Sequence, residues 1–223
     1  MRDRPITDSW TEKQREGALR VLREDKEEMT ALEYGQEYLG LFMEDLIRVF
    51  SDELIEKACI LSRRGVTNKG TYYGGVDVGR MGENKSAFAI GERINKEKAE
   101  QVEQITTRKQ LTTETARRII ELQNIYSCKM WGIDAAGVGG GVLDYLLEDP
   151  KTRYKVEDLT NAKRFIDADG EKGKRLLKEE MYINLLRMME NGRLKLLSDF
   201  NIKLSLASAL YSYDDNGQLR IFG

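Results

Sequence analysis

The clearest indication of the fold is the segment Tyr72–Val78, which has the sequence YYGGVDV. Its aromatic, glycine and valine residues are typical of a buried β-strand. Asp77 interrupts this apolar run, and burying an unpaired carboxylate costs several kcal/mol. We therefore expect Asp77 to have a cation, a hydrogen-bond donor or a metal ion as its partner.

The segments after this strand follow a regular order. Residues 86–94 and 99–111 predict two more strands, so that three consecutive strands form an antiparallel meander. Single strands then alternate with helices, and such units require parallel pairing. These later elements are a helix over 112–126, a strand over 129–134, a helix carrying Val142–Leu147, a strand over 154–158, a helix over 174–191 and a terminal hairpin over 210–222. The pattern predicts an α/β fold in which helices flank a mixed β-sheet.

The part of the chain before this sheet is predicted to be helical. Charged residues and helix formers are dense over residues 11–40, and residues 52–60 are typical of a short helix. The segment Arg63–Gly70 is polar and ends in glycine, which favours a loop or linker.

The composition limits the chemistry. The chain has 223 residues, with 36 Lys and Arg against 38 Asp and Glu and a net charge of −2. It contains no histidine, which excludes the usual general base, the triad imidazole and the commonest zinc ligand. Cys59 and Cys128 form no CxxC motif and fit a reducing compartment. No apolar stretch is long enough to span a bilayer, so we expect no membrane partner.

A second aspartate, Asp134, ends the strand predicted over 129–134. Ligands bind at the carboxyl ends of strands in open α/β sheets, so Asp77 and Asp134 could point at one spot. Two like charges raise each other's pKa unless a divalent cation neutralises them, and an all-oxygen site suits Mg²⁺ or Mn²⁺. Two such ions, about 3.5–4 Å apart, can promote phosphodiester cleavage. The alternative is that each aspartate is a cap or turn residue.

Glycines lie next to both aspartates. Gly79 follows the first strand, and the loop Gly137–Gly141, which includes Gly139, could let backbone approach a phosphate or could be a tight turn. Asp144, on the following helix, is predicted to lie on its surface or to support the site. No GxGxxG or GxxxxGK[ST] motif occurs, so we expect no ATP in this chain.

Several basic residues are candidates for contact with nucleic acid. Arg80 and Lys85 are nearest in sequence to the proposed metal site, and residues 151–223 are mildly basic. The candidates in this last part precede or begin the helix predicted over 174–191, and they are Lys172, Lys174 and Arg175. The alternative is a solvated charged loop.

Sequence motifs around Asp77 and Asp134 resemble those of a known protein family. Residues 75–80 (GVDVGR) and 84–90 (NKSAFAI) resemble the first hairpin of the RNase H-like nuclease domain of viral terminase large subunits. Residues 131–144 (WGIDAAGVGGGVLD) resemble its second acidic strand and glycine loop. Residues 32–38, with Val49 and Phe50, resemble the end of the packaging ATPase and its linker. The resemblance implies a helical and linker segment over 1–68 and an RNase H-like nuclease domain over 69–223.

The resemblance also implies an activity. Such a domain is an endonuclease that cuts concatemeric viral DNA during genome packaging, with acidic residues that hold two divalent metals, Mg²⁺ or Mn²⁺. Asp77 would bridge the ions and Asp134 would ligate one of them. The family's third aspartate follows the terminal hairpin, so we expect the chain to lack this ligand and the C-terminal end of the domain. Asp214 and Asp215, in the hairpin turn, are poor substitutes.

The implied partners are double-stranded viral DNA and, in the full protein, the portal and the small terminase subunit, in the cytoplasm of the infected host cell. Two other functions stay open on the sequence. The chain could be a non-catalytic fragment that docks DNA or the portal with an incomplete metal site. It could also be a phosphate-binding domain like those of actin-like sugar kinases and ATPases, because Asp77-Val78-Gly79 before a hairpin is similar to their first motif.

Overall fold

A computed structural model describes most of the chain. The described residues are 11–30, 47–67, 70–79, 85–134, 139–160, 164–166, 172–214 and 217–222. The chain forms two compact units, residues 1–45 and 46–223. The first contains helix α1 (Glu12–Glu28), within the region predicted to be helical. No helix in the described ranges is long and apolar enough to cross a membrane.

The other helices and the strands that the structure describes lie in the second unit. Its helices are α2 (Asp52–Ala58), α3 (Thr112–Tyr126), α4 (Gly139–Glu148), α5 (Leu177–Glu190) and α6 (Phe200–Ser208). Its strands are β1 (Ile47–Arg48), β2 (Cys59–Leu61), β3 (Thr71–Asp77), β4 (Lys85–Arg93), β5 (Ala99–Arg108), β6 (Met130–Ile133), β7 (Val156–Asp158), β8 (Arg164–Ile166), β9 (Lys172–Leu176), β10 (Leu194–Leu197), β11 (Leu210–Tyr213) and β12 (Leu219–Phe222).

A seven-stranded mixed sheet forms the centre of this unit, with the strand order β2-β10-β5-β4-β3-β6-β7. Strands β3, β4 and β5 pair antiparallel, which confirms the predicted meander. Strand β6 pairs parallel with β3, and β7 pairs parallel with β6. The predicted α/β fold, with a mixed sheet and flanking helices, is therefore confirmed. Strands β1, β11 and β12 form a separate sheet, and β8 pairs with β9.

The two faces of the central sheet differ because side chains alternate along each strand. One face, which we call the packed face, carries large apolar residues that are almost fully buried: Tyr72, Val76, Phe88, Ile90, Trp131 and Ile133. Helices α3 and α4 cover it with Ala116, Ile119, Leu122, Val142 and Leu146. The Trp131 indole Nε1–H donates to Gln123 Oε1 on α3 at 2.8 Å, so its one polar group is satisfied within this core.

The opposite face, which we call the open face, carries small or polar residues at the alternate positions. They are Gly75, Asp77, Lys85, Ala87, Thr106 and Arg108, and all of them are partly or fully exposed. A methyl group added at Gly74 would overlap the Trp131 ring, whereas one added at Gly75 would meet no atom within 4 Å. Neighbouring glycines of one strand thus face a full core and an open space.

Three sequence predictions are wrong in detail. The helix predicted over 174–191 begins at Leu177, because residues 172–176 pair with β8 as β9. The helix predicted over 52–60 ends at Ala58, because Cys59–Leu61 pair with β10. The strand predicted over 99–111 ends at Arg108, since Lys109 adopts a left-handed conformation with φ 53°.

Candidate metal centre at the end of the central sheet

The two predicted aspartates meet at one edge of the central sheet. Asp77 is the last residue of β3, and Asp134 directly follows β6, the parallel neighbour of β3. The pairing continues past β6, because the Asp134 backbone N–H donates to the carbonyl oxygen of Val76 at 3.1 Å. Val76 and Ile133 point into the packed face, so alternation places both aspartates on the open face.

Burial and a second negative charge determine the electrostatics of Asp77. The Asp77 residue is exposed to solvent, but the surrounding protein partly desolvates its carboxyl group. This desolvation raises the pKa of Asp77, and the negative charge of Asp134 raises it further. Two carboxylates that repel each other are a suitable oxygen donor set for a hard divalent cation, which would relieve the repulsion. The residues present therefore fit a divalent metal ion.

A tyrosine that has no signal in the sequence, Tyr182, lies close enough to Asp77 to sense its charge. Burial raises the pKa of the Tyr182 hydroxyl, and the charge of Asp77 raises it as well. Tyr182 is on α5, and its ring lies 6.2 Å from that of Phe50, measured between centroids. No local pattern could have shown this proximity, because α5 follows β3 by about a hundred residues and reaches the site only through the tertiary fold.

Two of the predicted glycines support the loops around the site. The Gly79 backbone N–H donates to Ser86 Oγ at 3.1 Å, which ties the end of β3 to β4. Gly139 begins α4, and a methyl group there would overlap the Asp134 carbonyl oxygen. Only glycine therefore allows the N-terminus of α4, with its partial positive charge, to approach Asp134 so closely. Gly137 lies outside the described residues, and Asp144 is exposed on α4.

The predicted basic residues occupy different places. Lys85, the first residue of β4, lines a cavity of about 720 Å³ that Asp77 also lines. Lys172, Lys174 and Arg175 lie on β9, in the two-stranded sheet outside the central one. Arg80 lies outside the described residues. Of these candidates, Lys85 is thus the one that the described structure brings to the carboxylates.

Within the described ranges, no group of three or more acidic or cysteine side chains could hold a metal ion. Asp214 instead stabilises the β11–β12 hairpin, accepting from Arg220 Nη2 at 2.9 Å and from the Gln218 N–H at 2.9 Å. Glu179 on α5 is buried and accepts from the Leu176 N–H at 2.9 Å, so it caps its own helix. Asp215 lies outside the described residues.

Comparisons with known proteins place the fold. No protein-family model and no curated protein matches the chain. The large terminase nuclease of thermophilic phage G20c, solved with bound magnesium, superposes with a TM-score of 0.60 at 18% identity, covering 79% of this chain and 88% of that one. The nuclease domain of the Thermus phage P74-26 large terminase gives 0.57 at 16%, covering 78% and 86%. The large terminase of bacteriophage HK97 gives 0.55 at 10%, covering 97% of this chain and 47% of that one. The fold is the RNase H-like fold of large terminase nuclease domains, which confirms the predicted resemblance at the level of fold.

Proposed function

We propose that this chain is the nuclease domain of a terminase large subunit, a divalent-metal-dependent endonuclease that cuts concatemeric viral DNA during genome packaging. One observation carries the proposal: Asp77 and Asp134 converge at the carboxyl ends of the parallel strands β3 and β6, on the open face of a terminase-nuclease fold. The fold supports the class of protein, and the two converging carboxylates support the chemistry.

Asp77 and Asp134 are the residues that would hold the metal, and Mg²⁺ or Mn²⁺ suits their oxygen donors. The similar G20c nuclease has been solved with bound magnesium, cobalt and zinc. A divalent cation, when bound, supplies a more acidic water and neutralises charge at the phosphate. The protein's own part is to hold the two carboxylates on adjacent strands and to keep the α4 N-terminus beside Asp134 through Gly139.

DNA contact is proposed for the basic residues around this site. Lys85 lines the same cavity as Asp77, and Arg80 follows the same strand in sequence. Lys172, Lys174 and Arg175 on β9 would contact backbone phosphates further along the duplex. Contacts to phosphates position DNA without reading its bases, so we expect cleavage with little sequence preference. Portal and small terminase subunit, in the host cytoplasm, are the partners proposed for the full protein.

Plasmid cleavage tests the proposal. Supercoiled plasmid is incubated with the chain in Mn²⁺ or Mg²⁺, beside Asp77→Asn, Asp134→Asn and the control Glu148→Gln. Glu148 is exposed at the far end of α4, so its variant changes charge without touching the site. We expect the wild type and the control to cut, and each aspartate variant to lose at least a hundredfold in rate. Cleavage that persists in Asp77→Asn would overturn the metal assignment.

A second candidate, a docking fragment that binds DNA without cutting it, is favoured by one observation. Only two acidic side chains converge at the site among the described residues. No cleavage by any variant, combined with retention of plasmid in a gel-shift assay, would support this function over the nuclease.

A further inference from the structure

Two cations lie opposite each other at the end of the β4–β5 hairpin that is nearest the carboxylates. Lys85 pairs with Arg108 in the antiparallel register. The adjacent open-face row runs across three strands, from Asp77 through Ala87 to Thr106. One carboxylate and two cations therefore occupy neighbouring rows of the same face, and Asp77, Lys85 and Arg108 line the same cavity.

This cation pair is unusual because its two members lie directly opposite each other on neighbouring strands. Like charges directly opposite on neighbouring strands are destabilising. Some other cations of the described chain have carboxylate partners, whereas Lys96 and Lys98, for example, have none among the described residues; the paired ones are Arg48, Arg63, Arg64, Arg118, Lys203 and Arg220. Lys85 and Arg108 form no ion pair or side-chain hydrogen bond with any residue that the structure describes. Two opposed cations lower the stability of the fold and have no anionic side chain among the described residues to compensate them. Their retention indicates that they bind an anionic ligand.

The rest of the described cavity lining is apolar or uncharged, so it does not repel a polyanion, and its apolar residues are Ala87, Leu185, Leu196, Ile202, Leu204 and Leu206. Its polar lining is uncharged apart from Asp77 and the two cations, within the described residues, and consists of Gln101, Gln104, Thr106, Asn201 and Ser205. Among the described lining residues Asp77 alone supplies negative charge, and a metal ion would neutralise it. The left-handed conformation of Lys109 ends β5 directly after Arg108, so Arg108 is the last residue of the strand and lies at its edge.

We infer that Lys85 and Arg108 form a phosphate clamp, which binds the DNA phosphate next to the one that is cut and leads the strand along the open-face cavity. The inference rests on the proposed function and adds Arg108, which the sequence did not indicate. A guanidinium can donate two parallel hydrogen bonds to one phosphate, whereas Lys85 acts as a point charge. Arg108 would therefore set the orientation of the strand, and Lys85 would add to its attraction.

Salt-dependent binding tests the clamp without relying on cleavage. Binding of a short fluorescent duplex to the whole chain is measured in EDTA at several salt concentrations, for the wild type and for the double variant Lys85→Gln/Arg108→Gln. The slope of log Kobs against log salt is negative, and each lost phosphate contact reduces its magnitude by about 0.9. The magnitude of the slope should therefore be smaller by about two in the double variant than in the wild type. The control is Lys96→Gln/Lys98→Gln, which removes the same charge at the exposed turn of the same hairpin and should lose much less.

The outcomes separate the clamp from the nuclease. If the wild type cuts plasmid and the double variant, folded by its melting curve, keeps the full slope, the clamp is wrong and the nuclease stands. If the wild type does not cut but the slope falls by about two, Lys85 and Arg108 bind DNA phosphates and the proposed nuclease is wrong. An equal loss in the control would overturn the clamp.

The variant Arg108→Lys tests the orienting role of Arg108. It should keep the salt slope, because the positive charge remains, but it should cut plasmid several times more slowly, because the two parallel donors of the guanidinium are lost. An unchanged cleavage rate would refute the orienting role.

Discussion

The packed and open faces of the central sheet belong to the same strands but differ in what they bury. Trp131 and Phe88 on the packed face have no exposed surface, whereas Asp77, Lys85 and Arg108 on the open face are exposed. The two faces of the sheet therefore have different roles: the packed face stabilises the fold, and the open face carries the charged residues of the candidate site. Apolar area removed from water on one side stabilises the fold, which lets the other side keep like charges close together at a cost in stability.

The largest difference between the faces should appear when the packed face loses its biggest side chain. Trp131→Ala should lower the free energy of unfolding by about 3–5 kcal/mol, because it opens a cavity and leaves the buried Gln123 without its partner. Urea denaturation measures this loss. Trp131→Phe, which keeps most of the volume, should lose clearly less. A loss below about 1 kcal/mol for Trp131→Ala would mean that this face does not carry the stability.

Adjacent glycines test the two faces with the same added atom. Gly74→Ala should destabilise by about 1–3 kcal/mol, because its methyl group overlaps the Trp131 ring. Gly75→Ala should change the free energy of unfolding by less than about 1 kcal/mol, in the stabilising direction, since its methyl group enters open space and alanine restricts the unfolded chain. Equal effects in parallel urea titrations would contradict the division into faces.

Removing a charge from the open face should stabilise the metal-free protein. Burial and the charge of Asp134 raise the pKa of Asp77, so folding disfavours its ionised form. This penalty is absent at a pH below the ordinary carboxyl range and appears as the pH rises above it. Asp77→Asn should therefore raise Tm by about 1–3 °C at pH 7 in EDTA, and the gain should vanish near about pH 3. A lower Tm at pH 7 would show that Asp77 is needed for folding.

The smallest expected signal is the absence of thiol reaction at the two buried cysteines, Cys59 and Cys128. Burial raises the pKa of the Cys128 thiol to about 12, and burial raises the pKa of Cys59 as well. The thiolate is the reactive form, so neither cysteine should react with a disulfide reagent at pH 8 while the protein is folded. Both should react at once in denaturant. Fast labelling of Cys128 in the native protein would show that the core opens at this point.

Much of the central sheet follows from local sequence patterns. Strands β3 and β4, helix α3 and strand β6 form close to where alternation and helical periodicity indicate, because the pattern that each one buries is contained in its own residues. The same patterns did not show β10, which is four residues long and pairs with β5. They did not show α6 either, because its apolar residues form no single stripe and two of them, Phe200 and Leu204, are exposed.

The candidate site divides in the same way. Asp77 and Asp134 stand out in the sequence because a carboxylate at the end of an apolar strand needs a partner, whatever the rest of the fold. Tyr182 and Arg108 have no such signal: one is an ordinary residue of a helix, and the other ends an alternating strand. Their place beside the carboxylates depends on strand register and on helix packing across the sheet.

Local chemistry thus accounts for the fold class and for the two acidic residues, since periodicity and the cost of a buried charge act over a few residues. The three-dimensional arrangement accounts for which side chains join them. Parallel pairing of β6 with β3 brings Asp134 to Asp77, and antiparallel pairing of β5 with β4 brings Arg108 opposite Lys85. These neighbours are distant in sequence, and their contact is set by the burial of the packed face, which holds the register in which the open face presents its charges.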